Sequence, residues 1–350
     1  MFVPEAQPAW QVVEDHIGPD SRPVGVAEGV ELLVPVYVML LLALLLLLLE
    51  HTDSLNLVQE PALCSETTFL ILVHSAPAHR ALRQTLRDTW AQNQAGHVRT
   101  VFVVGHPDDS ELTEALEKEG EEKGDLLQGD FYDSYRNLTT KHLLGLSWAA
   151  QHRADARWVL KTDDDQFVDM LHLPRLLHQL GVAPEDQLFL CQVLRRSPER
   201  DPKSKWYVSE NEYPGSSYPP YCAGWAYLTT MTTIRALLKA STSLDQFWID
   251  DLFVTGVVAA TLDPPVQFYD WSYSFLNFHT QMKTAVLAGS FYTPELMVCG
   301  DVNEAEIRHV WRKAESCFKK NCYSLLYEDK ESREAFLPKR LRDKLSKLEL

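Results

Sequence analysis

Apolar and polar segments alternate along the chain from about residue 67 onward. Compact apolar runs typical of buried strands lie at 67–75, 100–105, 126–131 and 157–162. Segments with the spacing of amphipathic helices lie between them, at 78–92, about 109–123 and 138–152. Because strands alternate with helices, the pattern predicts an α/β fold with a largely parallel central sheet. In such sheets ligands bind at the carboxyl ends of the strands.

A separate apolar run of 18 residues extends from Leu32 to Leu49, between Glu31 and Glu50. As a helix it would be about 27 Å long, just enough to cross a hydrocarbon core of about 30 Å. A buried core helix would carry a polar face, and a cleaved signal peptide would have a shorter apolar region followed by a cleavage site. The run therefore predicts a transmembrane signal-anchor at 32–49, after a tail at 1–31 and before a stem at 50–66 and a main domain at 67–350.

Charges and cysteines indicate the orientation of this anchor. Arg22 is the one basic residue before the run, and none follows from Glu50 until Arg80, so the positive-inside rule favours a cytoplasmic N-terminus. All six cysteines lie beyond the run, and an oxidising lumen would allow them to pair. Six cysteines admit 15 pairings, and buried free thiols are the alternative. The sequence predicts a single-pass type II protein with a luminal main domain.

Composition excludes some classes of function. The chain is 45% hydrophobic and 10% aromatic, which suits a packed core and does not suit a disordered protein. Its formal net charge of −16 argues against nucleic acid as a partner, because phosphate binding needs a basic face. The acidic balance suits metal ions or neutral sugars, and a solvated acidic surface accounts for it equally well.

Three adjacent carboxylates follow the fourth predicted strand, in KTDDD at 161–165. Carboxylates placed this close repel one another, and partial burial adds to the cost, so a cation is expected beside them. Mg²⁺ and Mn²⁺ prefer carboxylate oxygens and bridge to substrate phosphates. A solvated acidic turn is the other interpretation. The buried strand before the triplet and the apolar Phe167 and Val168 after it favour a metal site.

A second acidic pair, Asp250 and Asp251, lies between the apolar segments FWI and LFV. A carboxylate in partly apolar surroundings has a raised pKa and makes a better general base. The alternative is a helix N-terminus, where acidic side chains complement the helix dipole. Both interpretations are compatible with one structure.

Five longer blocks contain or adjoin these acids. They are RQTLRDTW at 83–90, GDFYDSYRNLTTKHLLGLSW at 129–148, VLKTDDDQFVD at 159–169, KWYVSENEYPGSSYPPYCAGWAYL at 205–228 and IDDLFVTG at 249–256. The first is similar to R-x-x-I-R-x-T-W and the second to D-F-x-D-x-Y-x-N-L-T-x-K, two motifs of one enzyme family. In this order the blocks resemble the β-1,3-galactosyltransferase and β-1,3-N-acetylglucosaminyltransferase family of Golgi enzymes, over about residues 67–322.

The resemblance implies a nucleotide-sugar-binding α/β domain of the GT-A type and a catalytic role for the main domain. Enzymes of this family use UDP-sugars with Mn²⁺ and invert the anomeric carbon. The expected donor is UDP-galactose or UDP-N-acetylglucosamine, and an acceptor glycan receives a β-1,3 bond. A homodimer or a complex with other Golgi glycosyltransferases is a further expectation.

The resemblance also suggests roles for individual residues. Asp251 is the candidate base and Asp250 its substitute. Asp165 is the first candidate metal ligand, together with Asp163 and Asp301. The candidates for holding the nucleotide or donor sugar are Arg83, Arg87, Lys141, Lys161, Asp163 and Asp164, with ordinary surface charge as the alternative for Arg83.

Two positions depart from the family pattern. YCAGWAY at 221–227 replaces Y-C-S-G-G-G-Y and places a tryptophan where the family has glycine, which alters the space beside donor or acceptor. The family also has a metal-binding histidine about eleven residues before a C-terminal tryptophan, and counting back from Trp311 that position is Gly300. The neighbouring Asp301 is the expected substitute, with water or His279 as alternatives.

Three remaining features are interpreted as mainly structural. Seven aromatic residues between 206 and 227 include candidates for stacking on a sugar, but most are expected to anchor the core or a loop. Asn137, in the one N-x-S/T sequon, is expected to cap a helix, and its glycosylation is left open. Leucines alternating with basic residues at 339–348 predict a peripheral amphipathic helix.

Two other classes of protein fit part of the pattern. A phosphohydrolase could use an aspartate nucleophile after a strand, but it would need a downstream lysine loop and would leave the five blocks unexplained. A catalytically silent Golgi protein could use the same pocket to bind glycans or assist a partner enzyme, and Gly300 favours that alternative.

Overall fold

A computed structural model describes residues 57–320, except 63–66, 94–97, 154, 175–176, 178–182, 184, 273–274 and 277–297. The chain divides into two compact units, Met1–Ser54 and Leu55–Leu350, and every described residue belongs to the second. The predicted anchor at 32–49 and the predicted helix at 339–348 lie outside the described residues. Within them, no helix combines the length and the apolar character needed to span a membrane.

The strands of the described region number β1 to β11 in chain order. They are β1 Leu57–Gln59, β2 Phe69–His74, β3 Val98–His106, β4 Leu126–Tyr132, β5 Trp158–Asp163, β6 Phe167–Val168, β7 Leu188–Leu194, β8 Tyr221–Thr230, β9 Gln267–Asp270, β10 Phe275–Leu276 and β11 Val298–Cys299. The α-helices are α1 Arg80–Asp88, α2 Ser110–Lys123, α3 Leu138–His152, α4 Met231–Ser241, α5 Asp250–Leu252 and α6 Glu304–Lys319. A 3₁₀ turn, Tyr135–Asn137, precedes α3, and the chain continues from α5 as a π-helix at Phe253–Val258.

Eight strands form the main sheet, in the order β1-β4-β3-β2-β5-β8-β7-β9. The four strands β4, β3, β2 and β5 run parallel to one another. On the far side β8 is antiparallel to both β5 and β7, and β9 runs parallel to β7. A second sheet has the order β10-β11-β6. The predicted α/β fold with a mainly parallel sheet is confirmed for the first half of the domain, and the second half makes the sheet mixed.

Strand β2 shows how the sequence builds this core. All six residues of FLILVH are buried, as expected for a central parallel strand covered on both faces. Phe69, Ile71 and Val73 pack into the cluster that includes Leu86 of α1 and the apolar face of α6. Leu70 and Leu72 pack on the opposite face, with the apolar residues of α3 and α4. The alternation of period two in β2 thus separates the two helical layers.

The disulfide Cys191–Cys222 joins β7 to β8 at the antiparallel end of the sheet. Its two Cα atoms are 5.6 Å apart, within the ordinary range for a disulfide. Of the pairings that the sequence left open, this one lies within the described residues. It ties the strand that carries Trp225 and Tyr227 to its neighbour.

Candidate active site

A cleft of about 710 Å³ opens where β2 and β5 end. These parallel neighbours place His74 opposite Asp163, so their carboxyl ends share one edge of the sheet. Seven of the residues predicted to form the site line this cleft: Lys141, Lys161, Asp163, Asp164, Asp165, Asp250 and Asp251. The structure therefore brings the acid triplet and the second acidic pair into one cavity, although about 85 residues of sequence separate them.

Asp163 and Lys161 form an ion pair at the base of the cleft. The Lys161 ammonium lies 2.7 Å from Asp163 Oδ1 and also donates to the Gly224 carbonyl. Removal from bulk water raises the pKa of Asp163, and the charge of Lys161 opposes that rise. Burial works against the charged form of Lys161, but Asp163 and Asp250 outweigh it and raise the pKa of Lys161. Lys161 is therefore a fixed cation, already paired with the carboxylate that precedes the rest of the triplet.

Asp164 connects the triplet to the end of β2. Its Oδ2 atom accepts a 2.7 Å hydrogen bond from Ser75 Oγ and lies 2.9 Å from His79 Nδ1. The hydrogen bond to Asp164 is the largest cause of a raised pKa at His79. Asp164 is buried, and these contacts hold it against the wall of the cleft.

Hydrogen bonds from two other segments fix the backbone at Asp165 and its neighbour Gln166. Trp90 on the loop after α1 donates its indole N–H to the Gln166 carbonyl at 3.0 Å, and the Asp165 carbonyl accepts from the Val302 N–H at 3.0 Å. The second bond brings Asp301 close, in the left-handed conformation with φ 56°. Burial raises the pKa of Asp165, a hydrogen bond from Gln166 opposes the rise, and the charges of Asp164 and Asp301 add to it. Asp165 is thus an acid whose negative charge is incompletely balanced.

The predicted metal ligands are only partly assembled. Within the described ranges, no group of three or more His, Cys, Asp or Glu side chains is arranged to hold a metal ion. Asp301 is close enough to Asp165 to affect its pKa but does not line the cleft. His279 lies outside the described residues. Metal binding by Asp165, Asp163 and Asp301 stays a prediction.

Asp250 ends a buried chain of hydrogen bonds. His142 Nδ1 lies 2.9 Å from Asp250 Oδ2, and His142 Nε2 lies 2.6 Å from the Tyr227 hydroxyl. Burial lowers the pKa of His142 and raises that of Tyr227 well above its usual range. The consistent assignment is a neutral His142 that donates to Asp250 and accepts from the Tyr227 hydroxyl.

This chain fixes the charge of Asp250. Burial by itself would raise the pKa of Asp250, but the hydrogen bond from His142 and the charge of Lys161 outweigh it and lower that pKa to about 2. Asp250 therefore remains ionised, and its Oδ2 atom accepts a hydrogen bond from His142. This environment favours Asp251 over Asp250 as the candidate base, because a weakly basic carboxylate accepts a proton poorly, and the substitute role of Asp250 stays a prediction.

Asp251 has the opposite environment. Burial is the largest cause that raises its pKa to about 7, and the neighbouring charge of Asp250 is the second. Its Oδ1 atom accepts a 2.7 Å hydrogen bond from the Leu252 N–H. Gly224 faces its other oxygen so closely that a Cβ added there would lie 3.0 Å from Asp251 Oδ2. The pKa values of these two adjacent acids are thus about 2 and about 7, a separation typical of a permanent anion beside a candidate general base.

Arg83 and Arg87 do not line the cleft, and their role in holding the nucleotide stays a prediction. Arg83 is fully buried and binds Glu119 through two nitrogens, at 2.9 and 2.7 Å. It also donates to Ser75 Oγ at 2.9 Å. Arg87 forms ion pairs with Glu119 and Asp125, each at 2.8 Å. All three side-chain nitrogens of Arg83 thus bind protein groups and support the wall of the cleft, whereas Nη1 of Arg87 has no hydrogen-bond partner within the described residues.

Lys141 does line the cleft, on the side of α3. Its ammonium lies 2.7 Å from Asp133 Oδ2 and donates to the Ser75 carbonyl at 2.9 Å. Asp133 in turn accepts from the Gly105 N–H at 2.8 Å. Lys141 therefore joins the ends of three strands at the wall of the cleft.

Sequence reasoning missed several residues of the cleft. Among the seven predicted aromatics, Trp206, Tyr218, Tyr221 and Trp225 line it, whereas Tyr227 is part of the core. The missed side chains are His74, His79, Tyr135, Trp248 and the buried His142. The sequence shows His142 next to Lys141 in the second block, but no local pattern indicates its distant partners Asp250 and Tyr227.

The predicted cap at Asn137 is wrong. Asn137 occupies the position before α3, but its side chain makes no capping hydrogen bond. Its Nδ2 atom donates to the Tyr132 carbonyl at 2.8 Å. The side chain stabilises the preceding 3₁₀ turn, and glycosylation at this sequon stays open.

Comparison with known proteins agrees with the geometry. A mouse β-1,3-galactosyltransferase 1 is 33% identical over 203 residues, which cover 57% of this chain and 62% of the relative. A human acetylgalactosaminyl-O-glycosyl-glycoprotein β-1,3-N-acetylglucosaminyltransferase is 38% identical over 207 residues, which cover 55% of this chain and 53% of the relative. The matched segments thus span between about half and two thirds of these relatives.

Among solved structures, a galactosyltransferase LgtC in complex with donor and acceptor sugar analogues covers 71% of this chain and 95% of its own, with 12% identity and a TM-score of 0.36. A likeness at that level supports no inference about the site. A model of the galactosyltransferase family matches residues 81–268, which include the acid triplet, His142 and Asp251. Because that match covers more than half of the chain, the chain belongs to the galactosyltransferase family.

Proposed function

We propose that this protein is an inverting β-1,3-glycosyltransferase. It transfers galactose, or N-acetylglucosamine, from a UDP-sugar to the 3-hydroxyl of an acceptor glycan on a glycoprotein, glycolipid or proteoglycan. Family membership supports the reaction class, and the names of the relatives include both a galactosyltransferase and an N-acetylglucosaminyltransferase. The observation that carries the proposal is Asp251, whose pKa is raised to about 7 in the cleft that also holds the acid triplet.

The proposed reaction is a single displacement. Asp251 accepts the proton of the acceptor 3-hydroxyl as the oxygen forms a bond to the anomeric carbon of the donor. The bond from that carbon to the diphosphate oxygen breaks on the opposite face, so the configuration inverts and UDP leaves. A carboxylate with a pKa near neutrality suits this step, because it is ionised at pH 7.5 and still basic enough to take a proton.

The leaving diphosphate needs positive charge. Lys141 and Lys161 line the cleft, and each is already paired with an aspartate, so neither supplies a full unbalanced charge. Burial is the largest cause of the raised pKa at both Asp163 and Asp165. A divalent cation bound beside these carboxylates would stabilise their ionised forms. We propose that Asp165, with Asp163 and Asp301, holds Mn²⁺ or a related cation. When bound, such an ion neutralises charge that develops on the diphosphate.

The proposed location is the Golgi membrane, with a single-pass type II anchor at 32–49 and a luminal catalytic domain. The apolar run and the placement of all six cysteines beyond it support this proposal. In intact microsomes, an epitope tag at the N-terminus is expected to be digested by added protease while the catalytic domain is protected. Protection of the tag and digestion of the domain would contradict the orientation.

The activity is tested with the full chain in detergent, a panel of UDP-sugars, Mn²⁺ and simple acceptor glycosides, with release of UDP as the readout. We expect release with UDP-galactose or UDP-N-acetylglucosamine that acceptor stimulates. Asp165→Ala should abolish metal-dependent UDP binding. Asp251→Asn should leave that binding intact and reduce transfer by about 10²–10⁴-fold, the usual contribution of a general base.

The same panel separates the rival classes. Undiminished transfer by Asp251→Asn would remove this residue from the role of base. Phosphate release from a simple ester without UDP-sugar would favour a phosphohydrolase. Glycan binding that survives Asp251→Asn, with no turnover by the native chain, would favour a silent binding protein.

A further inference from the structure

Three aromatic side chains meet at the mouth of the cleft, and the reaction proposed above does not use them. Tyr135 lies on the 3₁₀ turn before α3, Trp206 on the loop between β7 and β8, and Trp248 just before α5. All three line the cleft, and we call them the aromatic rim. Tyr135 and Trp206 are each 49% exposed, whereas Trp248 is buried at 9% exposed, so two of the three rings present large apolar surfaces to solvent. Exposed rings in a concave site are typical of a surface that a ligand covers.

The rings of the rim contact one another across the three segments. The ring centroids of Tyr135 and Trp248 are 5.7 Å apart in a tilted arrangement. Burial raises the pKa of the Tyr135 hydroxyl, and the Trp206 side chain is close enough to oppose that rise. The rim is therefore one continuous surface, although its members are separated by up to 113 residues in sequence.

Two cations hold the tryptophans in place. The Arg136 guanidinium lies 4.1 Å from the centre of the Trp248 ring, and the Lys205 ammonium lies 4.1 Å from that of Trp206. Arg136 also lies 3.6 Å from Glu212, on the same loop as Trp206. Cation–π contacts of this kind restrict ring rotation before a ligand arrives, which reduces the entropy lost on binding.

The position of the rim relative to Asp251 limits what it can bind. Trp248 precedes Asp251 by three residues and lies in the same wall of the cleft. Tyr135 is close enough to Asp251, Asp250 and Asp163 for their charges to affect its hydroxyl. A molecule stacked on the rim therefore lies beside the proposed base, where the acceptor hydroxyl must be.

We propose that Tyr135, Trp206 and Trp248 form the acceptor subsite, which binds a pyranose ring through its apolar C–H face. The negative face of an aromatic ring attracts the weakly positive C–H groups of a sugar, and the hydroxyls at the edge of the sugar stay free to reach Asp251. This inference rests on the proposed function, because it assigns the acceptor of that same reaction. Its occupant is a glycan that ends in a neutral hexose or N-acetylhexosamine.

Kinetics of the full chain test the assignment. Trp206→Ala should raise the KM for the acceptor about tenfold, whereas Trp206→Phe, which keeps an aromatic face, should raise it much less. The KM for the UDP-sugar should change much less than the KM for the acceptor. Tyr132→Ala is the matched control, because Tyr132 is 52% exposed, adjoins the same turn and does not line the cleft. Thermal melting verifies that each variant is folded.

A binding measurement keeps this test separate from that of the proposed function. Methyl β-galactoside and methyl β-N-acetylglucosaminide are titrated into the Asp251→Asn protein while tryptophan fluorescence is recorded, with and without Trp206→Ala. We expect saturable quenching that Trp206→Ala removes. An unchanged acceptor KM together with undiminished quenching overturns the inference even if transfer is robust. Quenching without any UDP release contradicts the proposed reaction but is consistent with the sugar subsite. A rise in the KM for the donor alone would assign the aromatic rim to the uracil ring and would overturn the inference.

Discussion

Replacing Asp250 with Asn should move the acidic limb of the pH–rate profile to lower pH. In the native protein the pKa of Asp251 is raised to about 7, first by burial and then by the charge of Asp250. A base must be ionised to accept a proton, so the rate falls as pH decreases through that pKa. At pH 6 about one tenth of Asp251 is ionised, and the rate should be about one tenth of its plateau.

The substitution removes the second of these causes and retains the first. Asn keeps the shape of Asp250, and its amide oxygen can still accept from His142 Nδ1, so the buried chain to Tyr227 is preserved. Loss of a neighbouring like charge lowers the pKa of a carboxylate by about one unit or more. The ionised fraction of Asp251 at pH 6 should then rise from about one tenth to about one half. The plateau rate should fall, because a less basic carboxylate accepts a proton less readily.

The assay is acceptor-dependent UDP release between pH 5 and pH 8.5, at saturating substrate. Asp163 also has a raised pKa, so the profile is repeated at a tenfold higher Mn²⁺ concentration. A limb caused by Asp163 would move with metal concentration, whereas one caused by Asp251 would not. The reasoning is refuted if Asp250→Asn leaves the limb in place or moves it to higher pH.

Three further predictions concern packing around the cleft. Gly224→Ala should lower kcat about tenfold or more with a small change in Tm, because its Cβ would lie 3.0 Å from Asp251 Oδ2 and displace that carboxylate; an unaltered kcat would mean that the base tolerates displacement. Arg83→Met should destabilise the domain by up to about 3–5 kcal/mol in urea unfolding, because buried Glu119 loses one of its two guanidinium partners and keeps Arg87 alone; a loss below about 1 kcal/mol would contradict that account. Reduction of the Cys191–Cys222 disulfide should destabilise the domain by about 4 kcal/mol, as expected for a cross-link that spans 31 residues, with the double Cys→Ser variant as control; equal stability of the reduced and oxidised protein would contradict this.

The first half of the fold was readable because each element carries a local signal. The apolar run 67–75 became β2 and the amphipathic segment 138–152 became α3, since burial on both faces and period 3.6 leave clear patterns. Strand β8 was not predicted. Its sequence, YCAGWAYLTT, continues an aromatic and proline-rich loop, and its pairing with β5 and β7 is a long-range choice that no local pattern records.

The same division applies to the site. The acids at 163–165 and 250–251 were found from their sequence surroundings, because a run of carboxylates beside apolar residues is unusual. What each acid does depends on partners far away in sequence: His142 for Asp250, and Ser75 for Asp164. The burial of Arg83 was not predicted for the same reason, because its partner Glu119 lies in another helix and a motif does not show which arginines are buried.

Helix α2 is connected by hydrogen bonds to the edge of the sheet that carries the acid triplet. Glu119 binds Arg83, Arg83 binds Ser75, and Ser75 binds Asp164, so three consecutive contacts connect a helix that does not line the cleft to the acid triplet. A ranking of substitutions by their distance from the substrate would therefore underestimate the effect of a change at Glu119. We expect a substitution at Glu119 to weaken the proposed binding of the donor, although its side chain lies outside the cleft.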